Sequence, residues 1–377
     1  MRAAVIVEAV RTPIGRRRGA LADIHPGDLS AHVLKALAQR AGLDPVDVED
    51  VVWGCVTQSG EQSANVGRVG VLAAGWPATV PGTTVDRKCG SSQQAVQFAA
   101  ACVVAGHADV VVAGGVESMT RVPMGSNAQG ARSYPSSALD RFGVDGFSQG
   151  VAAEMVAAKW GLSRAQLDEY SARSHERAAQ ATDAGMLAGQ IAPLPGVLEA
   201  DEGIRRGSSV EVLGKLKSAF AEDGVITAGN ASQISDGAAA LLIMEAEVAR
   251  TRGFTPVARI HSVAVTADDP VIMLTAPISA TARVLARSGL AIDEIGAFEV
   301  NEAFASVPLA WQSETGVSDT LLNPLGGAIA VGHPLGGSGA VLMTRLVHHM
   351  RENGIRYGLQ TMCEAGGMAN ATVLELI

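Results

Sequence analysis

The sequence is poor in several features that mark particular classes of protein. Only four of its 377 residues are cysteines, and none of them forms a Cys-x-x-Cys pair. Neither a disulfide framework nor a zinc or other metal site is therefore expected, and the thiols are expected to be reduced. No apolar run approaches the roughly 18 residues that span a bilayer, and no secretory signal pattern is visible.

Charge is also scarce, and it is unbalanced. Charged residues make up 18% of the chain against 47% hydrophobic residues, and the formal net charge is −9. This composition excludes a disordered or fibrous class, and the acidic balance argues against nucleic-acid binding. A local basic cluster can still hold one phosphorylated ligand. The sequence thus predicts a cytoplasmic protein with a substantial core and with neither membrane nor nucleic-acid partners.

Glycine, by contrast, is abundant, with 43 residues, and its positions reveal an internal repeat. In the first half, a helix that ends at Gly42 leads through a short helical turn into a strand that ends at Gly54. In the second half, a helix that ends at Gly289 leads in the same way into a strand that ends at Val300. Either match alone can arise by chance.

A second correspondence follows each of these segments in the same order. Cys89 precedes an apolar helix that ends at Gly106, and a strand over residues 109–113 follows. His333 precedes a helix that ends at Gly354, and a strand over residues 357–362 follows. Two matches in one order predict a duplicated α/β architecture.

The residues between the two halves have a different character. Residues 119–234 mix loops with amphipathic helices, and Ser163 with Gln166 forms a capping-box pattern that predicts a helix to Ala181. The sequence therefore predicts an N-terminal half over residues 1–118, an inserted domain, and a C-terminal half over residues 235–377.

Cys89 lies at a predicted strand-to-helix junction, directly after Arg87 and Lys88. The N–H groups and dipole of a helix N-terminus stabilise an anion, and nearby cations add to this field. The pattern predicts a thiol of lowered pKa that acts as a nucleophile. The alternative is a small buried structural cysteine, and the local sequence leaves both interpretations open.

Three further residues lie at predicted strand ends or helix starts. His333 is framed by glycines, Cys363 ends a strand, and Asn301 ends another strand. If a pseudo-twofold relates the halves, Cys89, His333 and Cys363 can meet as nucleophile, base and acid. Asn301 then suits holding a water in an oxyanion hole, and the alternative is a helix-cap residue.

Other motifs are absent or weaker. The glycine-rich string after His333 lacks the lysine of a nucleotide-triphosphate loop, and no G-x-G-x-x-G follows a strand. The other seven histidines lack the glycine framing of His333, and three of them, His175, His348 and His349, are expected on solvated helix faces.

Taken together, these strings resemble the thiolase family across essentially the whole chain. Four segments resemble the family's active-site motifs in order: residues 86–94, 301–305, 326–339 and 363–367. Segments 153–178 and 227–232 of the insertion are similar to the family as well. The resemblance implies an α/β thiolase fold, with duplicated halves in five α-β-α-β-α layers and an inserted loop domain that binds coenzyme A. Coenzyme A is then a substrate, and no permanently bound cofactor is expected.

The resemblance also implies roles for the candidate residues. His333 deprotonates Cys89, which attacks the keto carbon of a 3-ketoacyl-CoA, and Cys363 protonates the departing enolate. One oxyanion hole consists of His333 and a water on Asn301. The other consists of the backbone N–H groups of Cys89 and Ala365.

Further positions match the family's ligand contacts. Arg205 matches the residue that packs on adenine, and Ala228 and Ser232 match pantetheine contacts. Three positions bear on the acyl group, namely Ser148, Met273 and Phe304. Ser148 stands where short-chain members carry another residue, whereas Met273 and Phe304 match positions that crowd the acyl site in acetoacetyl-CoA thiolases.

Several functions remain open at this stage. The leading hypothesis is a degradative thiolase of fatty-acid or steroid breakdown, similar to actinobacterial members; the first alternative is an acetoacetyl-CoA thiolase. A decarboxylating condensing enzyme lacks the second cysteine, so Cys363 argues against it. A non-catalytic CoA- or lipid-binding protein is the most distant alternative. The loop over residues 120–147 is shorter than is typical, so a homodimer is expected as readily as a homotetramer.

Overall fold

The computed structural model describes residues 2–377 of the chain. Its strands are β1 (Ala4–Arg11), β2 (Gly15–Arg16), β3 (Asp50–Gly54), β4 (Thr83–Val85), β5 (Val110–Ser118), β6 (Ser235–Glu245), β7 (Ala258–Ala267), β8 (Ala297–Val300), β9 (Tyr357–Glu364) and β10 (Met368–Leu376). Its helices are α1 (Pro26–Ala41), α2 (Val66–Ala73), α3 (Ser91–Ala105), α4 (Ser136–Phe142), α5 (Gln149–Lys159), α6 (Arg164–Asp183), α7 (Val210–Leu213), α8 (Ala246–Thr251), α9 (Ala276–Ser288), α10 (Ser306–Thr315), α11 (Ala328–Val331) and α12 (Ser338–Asn353). No helix among these residues is both long and apolar enough to cross a membrane.

The strands form one continuous hydrogen-bonded sheet, which a narrow seam between β1 and β7 divides into a first and a second sheet. The first sheet has the order β4-β3-β5-β6-β1, and the second has the order β7-β10-β9-β8. Within residues 2–377, the pairing of β1 with β7 consists of two residue pairs, Val5 with Arg259 and Ile6 with Ala258. Because the seam is so short, each sheet can present a separate face to the helices.

The fold has five layers, with one hydrophobic core on the outer side of each sheet and a third around the central helices between the sheets. Helices α1 and α2 cover the outer face of the first sheet, and α9 and α10 cover the outer face of the second. Helices α3 and α12 lie between the two sheets, packed on residues such as Ile6, Val111 and Leu374. Along β1 the side chains alternate, since Val5 and Val7 face the outer core while Ala4 and Ile6 face the central helices. The predicted five-layer fold is confirmed.

The predicted duplication is visible in the order of elements. The run β1-α1-β3-α2-α3-β5-β6 has its counterpart in β7-α9-β8-α10-α12-β9-β10. Helices α1 and α9 end at left-handed Gly42 and Gly289, and α3 and α12 end at left-handed Gly106 and Gly354. Glycine adopts a left-handed backbone without steric cost, which explains why glycine recurs at the C-terminal ends of these helices.

One predicted strand end is wrong. The strand predicted over residues 109–113 does not stop before Gly114 and Gly115, because β5 continues to Ser118. A Cβ atom at Gly114 would overlap the carbonyl oxygen of Ala239, and one at Gly115 would overlap that of Gly336. These two glycines therefore permit close packing within the strand and do not terminate it.

The insertion and its boundaries have a clear structural setting. Residues 119–234 contain helices α4 to α7, and α6 begins with the predicted capping box of Ser163 and Gln166. Strand β6, which begins at Ser235, pairs with β1 and β5. This strand belongs to the first sheet, so the chain returns to the N-terminal half before it enters the C-terminal half.

Candidate active site

Cys89 occupies a tight turn between β4 and α3. Lys88 has a left-handed backbone with φ of 49°, and Gly90 is the N-cap residue of α3. The hydroxyl of Ser91 accepts a hydrogen bond from the backbone N–H of Arg87 at 2.9 Å and donates to the carbonyl of Lys88 at 2.6 Å. The turn therefore holds the thiol at the start of a buried helix, as the sequence predicts.

The predicted lowering of the Cys89 pKa is wrong. Burial raises the pKa of this thiol well above its ordinary value, and the nearby Cys363 and Glu364 raise it further. The side chain of Lys88 pairs instead with Asp86, with 2.7 Å between its nitrogen and the carboxylate. The backbone N–H at the helix start does favour the thiolate, but desolvation outweighs it. Cys89 therefore needs a base to become a nucleophile.

Cys363 is the next-to-last residue of β9, close enough to Cys89 for its charge to raise the pKa of that thiol. It is 1% exposed, and burial raises the pKa of its thiol to about 12. Strand β9 turns into β10 through Ala365, Gly366 and Gly367, and both glycines have positive φ. The thiol is thus protonated at neutral pH and can act as an acid.

Asn301 directly follows β8 and is 1% exposed. Its side chain lies beside Cys363 and favours the thiolate form of that residue. Neither amide atom has a hydrogen bond of normal geometry within residues 2–377. Since α10 begins at Ser306 with Ala305 as its N-cap residue, Asn301 is not a helix cap. Its amide is buried and available to another partner.

His333 is held by a serine one turn further along the chain. The hydroxyl of Ser338 donates to the carbonyl of Pro334 at 2.8 Å, so its oxygen accepts from the Nδ1–H of His333 at 2.6 Å. This bond selects the tautomer in which Nε2 carries a lone pair. Nε2 has no partner among the described residues, and burial lowers the pKa of His333 to about 4. The imidazole is a neutral base with one free nitrogen.

Two buried carboxyl groups that the sequence-based prediction missed lie at these loops, and one of them joins two loops. Glu117 accepts hydrogen bonds from the backbone N–H groups of Val56, Thr57 and Gly336, and so joins the loop after β3 to the loop after His333. Its only sequence signal is a carboxylate in an otherwise apolar strand. Glu364 lies against Gly90, and burial raises its pKa to about 8.

The predicted coenzyme A contacts line a surface cavity of about 530 Å³. Arg205, Ala228 and Ser232 contribute to it, together with Arg16 and Arg17. Arg205 also lines a second cavity of about 750 Å³, which lies between α6 and residues 205–211. The three predicted residues therefore share one site.

Of the three histidines expected on solvated helix faces, His175 and His348 are buried and His349 is half-buried. His175 is 3% exposed, and its Nδ1 accepts a hydrogen bond from the backbone N–H of Arg205 at 3.1 Å. His348 is equally buried and bonds the carbonyl of Ala9 at 3.0 Å. The expectation fails because segments distant in sequence cover both helices, namely the residues around Arg205 on α6 and strand β1 on α12.

The three predicted acyl-group residues are not all together. Met273 and Phe304 belong to one core with Cys363, and the ring of Phe304 stacks edge-on with Phe220 at 5.9 Å between centroids. Ser148 is exposed, and its hydroxyl accepts from the backbone N–H of Val151 as the cap of α5. Two of the three residues therefore belong to the same hydrophobic core as Cys363.

Two family domains together match nearly the whole chain. The thiolase N-terminal domain matches residues 4–247, and the thiolase C-terminal domain matches residues 254–376. The chain belongs to the thiolase family. This thiolase is accordingly an acyltransferase.

Two curated relatives extend along the whole thiolase chain. One is a steroid 3-ketoacyl-CoA thiolase, FadA6, of Mycobacterium tuberculosis, which is 46% identical over 100% of this chain and 94% of its own. Another is a 3-ketoacyl-CoA thiolase of Erwinia tasmaniensis, 44% identical over the full length of both chains. A solved structure, the acetyl-CoA acetyltransferase of Bacillus anthracis, superposes with a TM-score of 0.92 at 34% identity and covers 100% of this chain and 99% of its own.

Proposed function

We propose that this thiolase cleaves 3-ketoacyl-CoA with coenzyme A, giving acetyl-CoA and an acyl-CoA shortened by two carbons. The single observation that carries the proposal is a second buried thiol, Cys363, near enough to Cys89 for its charge to raise the pKa of that residue. A carrier of acyl groups needs one nucleophile, whereas carbon–carbon cleavage also needs an acid for the carbanion that leaves. The names of the two relatives support a place in the β-oxidation of fatty acids or of steroids.

The first half-reaction uses three of the buried groups. Nε2 of His333 takes the proton of Cys89 while the sulfur attacks the keto carbon. The carbon–carbon bond then breaks, its electron pair forms the enolate of acetyl-CoA, and the thiol of Cys363 protonates that carbon. Cys89 now carries the shortened acyl group as a thioester.

The second half-reaction returns the enzyme to its resting state. A molecule of coenzyme A gives its thiol proton to the thiolate of Cys363, and its sulfur attacks the thioester on Cys89. The acyl-CoA leaves, and His333 returns its proton to the sulfur of Cys89. Run backwards, the same groups perform a Claisen condensation.

Two oxyanion holes would stabilise the negative charge that develops. His333 together with a water on Asn301 would serve the enolate, and the available amide of Asn301 supports this role. The backbone N–H groups of Cys89 and Ala365 would serve the oxyanion at the attacked carbonyl. Loss of one such donor typically costs about 3–4 kcal/mol in the transition state.

Coenzyme A would bind as a substrate along the cavity of Arg205, Ala228 and Ser232. Arg205 would pack on the adenine, and Ala228 and Ser232 would contact the pantetheine arm. Arg205 lies at the rim shared by both cavities, which supports a position where the nucleotide turns outwards.

The alternative is an acetoacetyl-CoA thiolase that accepts only a four-carbon substrate. The burial of Met273 and Phe304 in one core with Cys363 favours it, because large side chains there leave little room for an acyl chain. The similar structure from Bacillus anthracis is named an acetyl-CoA acetyltransferase. Exposed Ser148 places no such limit on the acyl group.

A panel of 3-ketoacyl-CoA substrates tests both functions. Loss of substrate would be followed with free coenzyme A for chains from four to sixteen carbons and for a steroid side-chain substrate. Turnover of long or bulky substrates supports degradation, whereas a strong preference for four carbons supports the alternative. Mass spectrometry without added coenzyme A should find an acyl adduct on Cys89 that is absent from Cys89→Ala. No turnover of any substrate would contradict the proposal.

The assembly and the location of the protein remain predictions. Strand β4 lies at the edge of the first sheet, and such an edge can pair with the same strand of a second copy. This supports a homodimer or a homotetramer. The cytoplasmic location rests on composition alone.

A further inference from the structure

Glu302 lies next to Asn301 and is 1% exposed. Its Oε1 accepts hydrogen bonds from the hydroxyl of Tyr170 at 2.9 Å and from Nδ2 of Asn323 at 3.1 Å. Its Oε2 accepts from the hydroxyl of Ser174 at 2.7 Å and from the backbone N–H of Ile329 at 3.0 Å. Four donors therefore meet at one buried carboxylate.

These donors come from three separate parts of the chain. Tyr170 and Ser174 lie one turn apart on α6, in the inserted domain. Asn323 also binds both backbone groups of Val300, the residue before Asn301. Its Oδ1 accepts from the N–H of Val300 at 2.8 Å, and its Nδ2 donates to the carbonyl of Val300 at 2.9 Å. The carboxylate thus ties α6 to the end of β8.

The third part is the segment that leads to His333. Ile329 lies in α11, two residues before the end of that helix, and Gly332 then leads to His333. A Cβ atom at Gly327 would overlap the carboxyl group of Glu302, and the backbone N–H of Gly327 donates to the hydroxyl of Ser174 at 3.1 Å. The start of α11 is therefore packed directly on the carboxylate.

We propose that Glu302 is a positioning residue that sets the spacing between Asn301 and His333 and anchors both to α6 of the inserted domain. The inference rests on the proposed function, since it concerns the pair that would stabilise the enolate. Asn301 and His333 reach this buried site from different segments. Glu302 binds Asn323, which holds the backbone before Asn301, and Ile329, which lies in the helix before His333. Its main effect falls on the carbon–carbon step.

The substitution Glu302→Gln preserves the shape and tests the carboxylate. One oxygen becomes an NH₂ group, which cannot accept from the backbone N–H of Ile329 or from Nδ2 of Asn323. Thiolysis would be compared with exchange of isotope-labelled coenzyme A into the acyl-CoA product. Both reactions need His333 as the base, but only thiolysis needs the Asn301–His333 pair for an enolate. We expect kcat for thiolysis to fall at least about tenfold further than the exchange rate, with KM for coenzyme A within about twofold of the parent.

A second variant keeps the test decisive if Glu302→Gln fails to fold. Tyr170→Phe removes one donor to the carboxylate and keeps the aromatic ring, so a smaller but selective loss of thiolysis is expected. An equal fall in both reactions, or no fall in either, would overturn the inference. Failure of the unsubstituted enzyme to cleave any 3-ketoacyl-CoA would instead overturn the proposed function.

Discussion

At the scale of single residues, the two thiols and the imidazole of the candidate active site are uncharged before substrate binds. Burial raises the pKa of Cys89 and Cys363 and lowers the pKa of His333, so neither thiolate nor imidazolium is favoured before substrate binds. In the proposed mechanism, proton transfer from Cys89 to His333 is therefore coupled to attack on the carbonyl carbon. The tautomer that Ser338 selects is what makes Nε2 the accepting atom.

The substitution Ser338→Ala should therefore damage catalysis more than folding. Without the hydroxyl, the Nδ1–H of His333 loses its acceptor and the ring loses its fixed orientation. We expect kcat to fall about tenfold with little change in KM, measured by steady-state thiolysis.

Ser306→Ala is the matched control for this experiment. Ser306 is also a buried serine, but its hydroxyl has no hydrogen-bond partner within residues 2–377. The control should retain near-parental kcat. Equal losses in the two variants would show that the hydroxyl of Ser338 does not orient the histidine.

At the scale of elements, the crossing of α3 and α12 aligns the two halves of the site. Cys89 precedes α3 by two residues, and His333 precedes α12 by five. The hydroxyl of Ser92 accepts from the backbone N–H of Ala340 at 2.8 Å, and a Cβ atom at Gly339 would overlap the backbone nitrogen of Gln93. The helices can approach this closely only because Gly339 has no side chain.

Gly339→Ala should push the two helices apart. We expect the free energy of unfolding to fall by about 1–3 kcal/mol, as in other overpacked cores, and turnover to fall with it. Chemical denaturation measures the first effect, and thiolysis measures the second.

Gly146→Ala supplies the comparison for this change. A Cβ atom at Gly146 would meet no atom within 4 Å, and its φ is not positive. The same substitution there should leave stability nearly unchanged. If both variants unfold alike, the close approach of α3 and α12 contributes nothing to stability.

At the scale of the whole molecule, buried ionisable groups make stability depend on pH from both directions. Burial lowers the pKa of His175, His333 and His348 from 6.5 to about 4. Below pH 6.5 these histidines bind protons in the unfolded chain but stay neutral in the folded protein, so the free energy of unfolding falls as the pH falls towards 4. Glu299 and Glu364 act oppositely, since their pKa is raised from 4.5 to about 8 and stability falls as the pH rises through that window.

His348→Gln should reduce the acid sensitivity. His348 bonds the carbonyl of Ala9, and a glutamine amide can donate in its place. Between pH 6.5 and 4.5, the variant should lose about 2 kcal/mol less of its free energy of unfolding than the parent. Denaturant titrations at several pH values measure this difference.

His107→Gln serves as the exposed control, because His107 lies on the surface just after α3. Its acid sensitivity should match that of the parent protein. If His348→Gln also matches the parent, the buried imidazole does not cause the acid-dependent loss.

Much of the fold was predictable because its signals are local. A glycine that ends a helix, a capping box and a run of apolar residues depend on neighbours a few positions away. The repeat of these signals predicted the two halves, and the four motifs predicted which residues carry the chemistry. The continuation of β5 through Gly114 and Gly115 was not predictable. Those two positions are glycines because the backbones of Ala239 and Gly336, which are distant in sequence, pack against them.

The sequence by itself determined the family, the duplicated fold and the identity of the four candidate residues. The order of the motifs and the glycines that end helices are local features that can be identified in the sequence. Only the tertiary structure decided the charge state of Cys89, since burial and a second thiol 274 positions away outweigh the helix N-terminus and two adjacent cations. It likewise revealed Ser338 as the group that orients His333 and Glu302 as the meeting point of four donors, one of them 132 residues away. Desolvation and hydrogen bonding depend on what surrounds a side chain in space, and the local sequence does not contain that information.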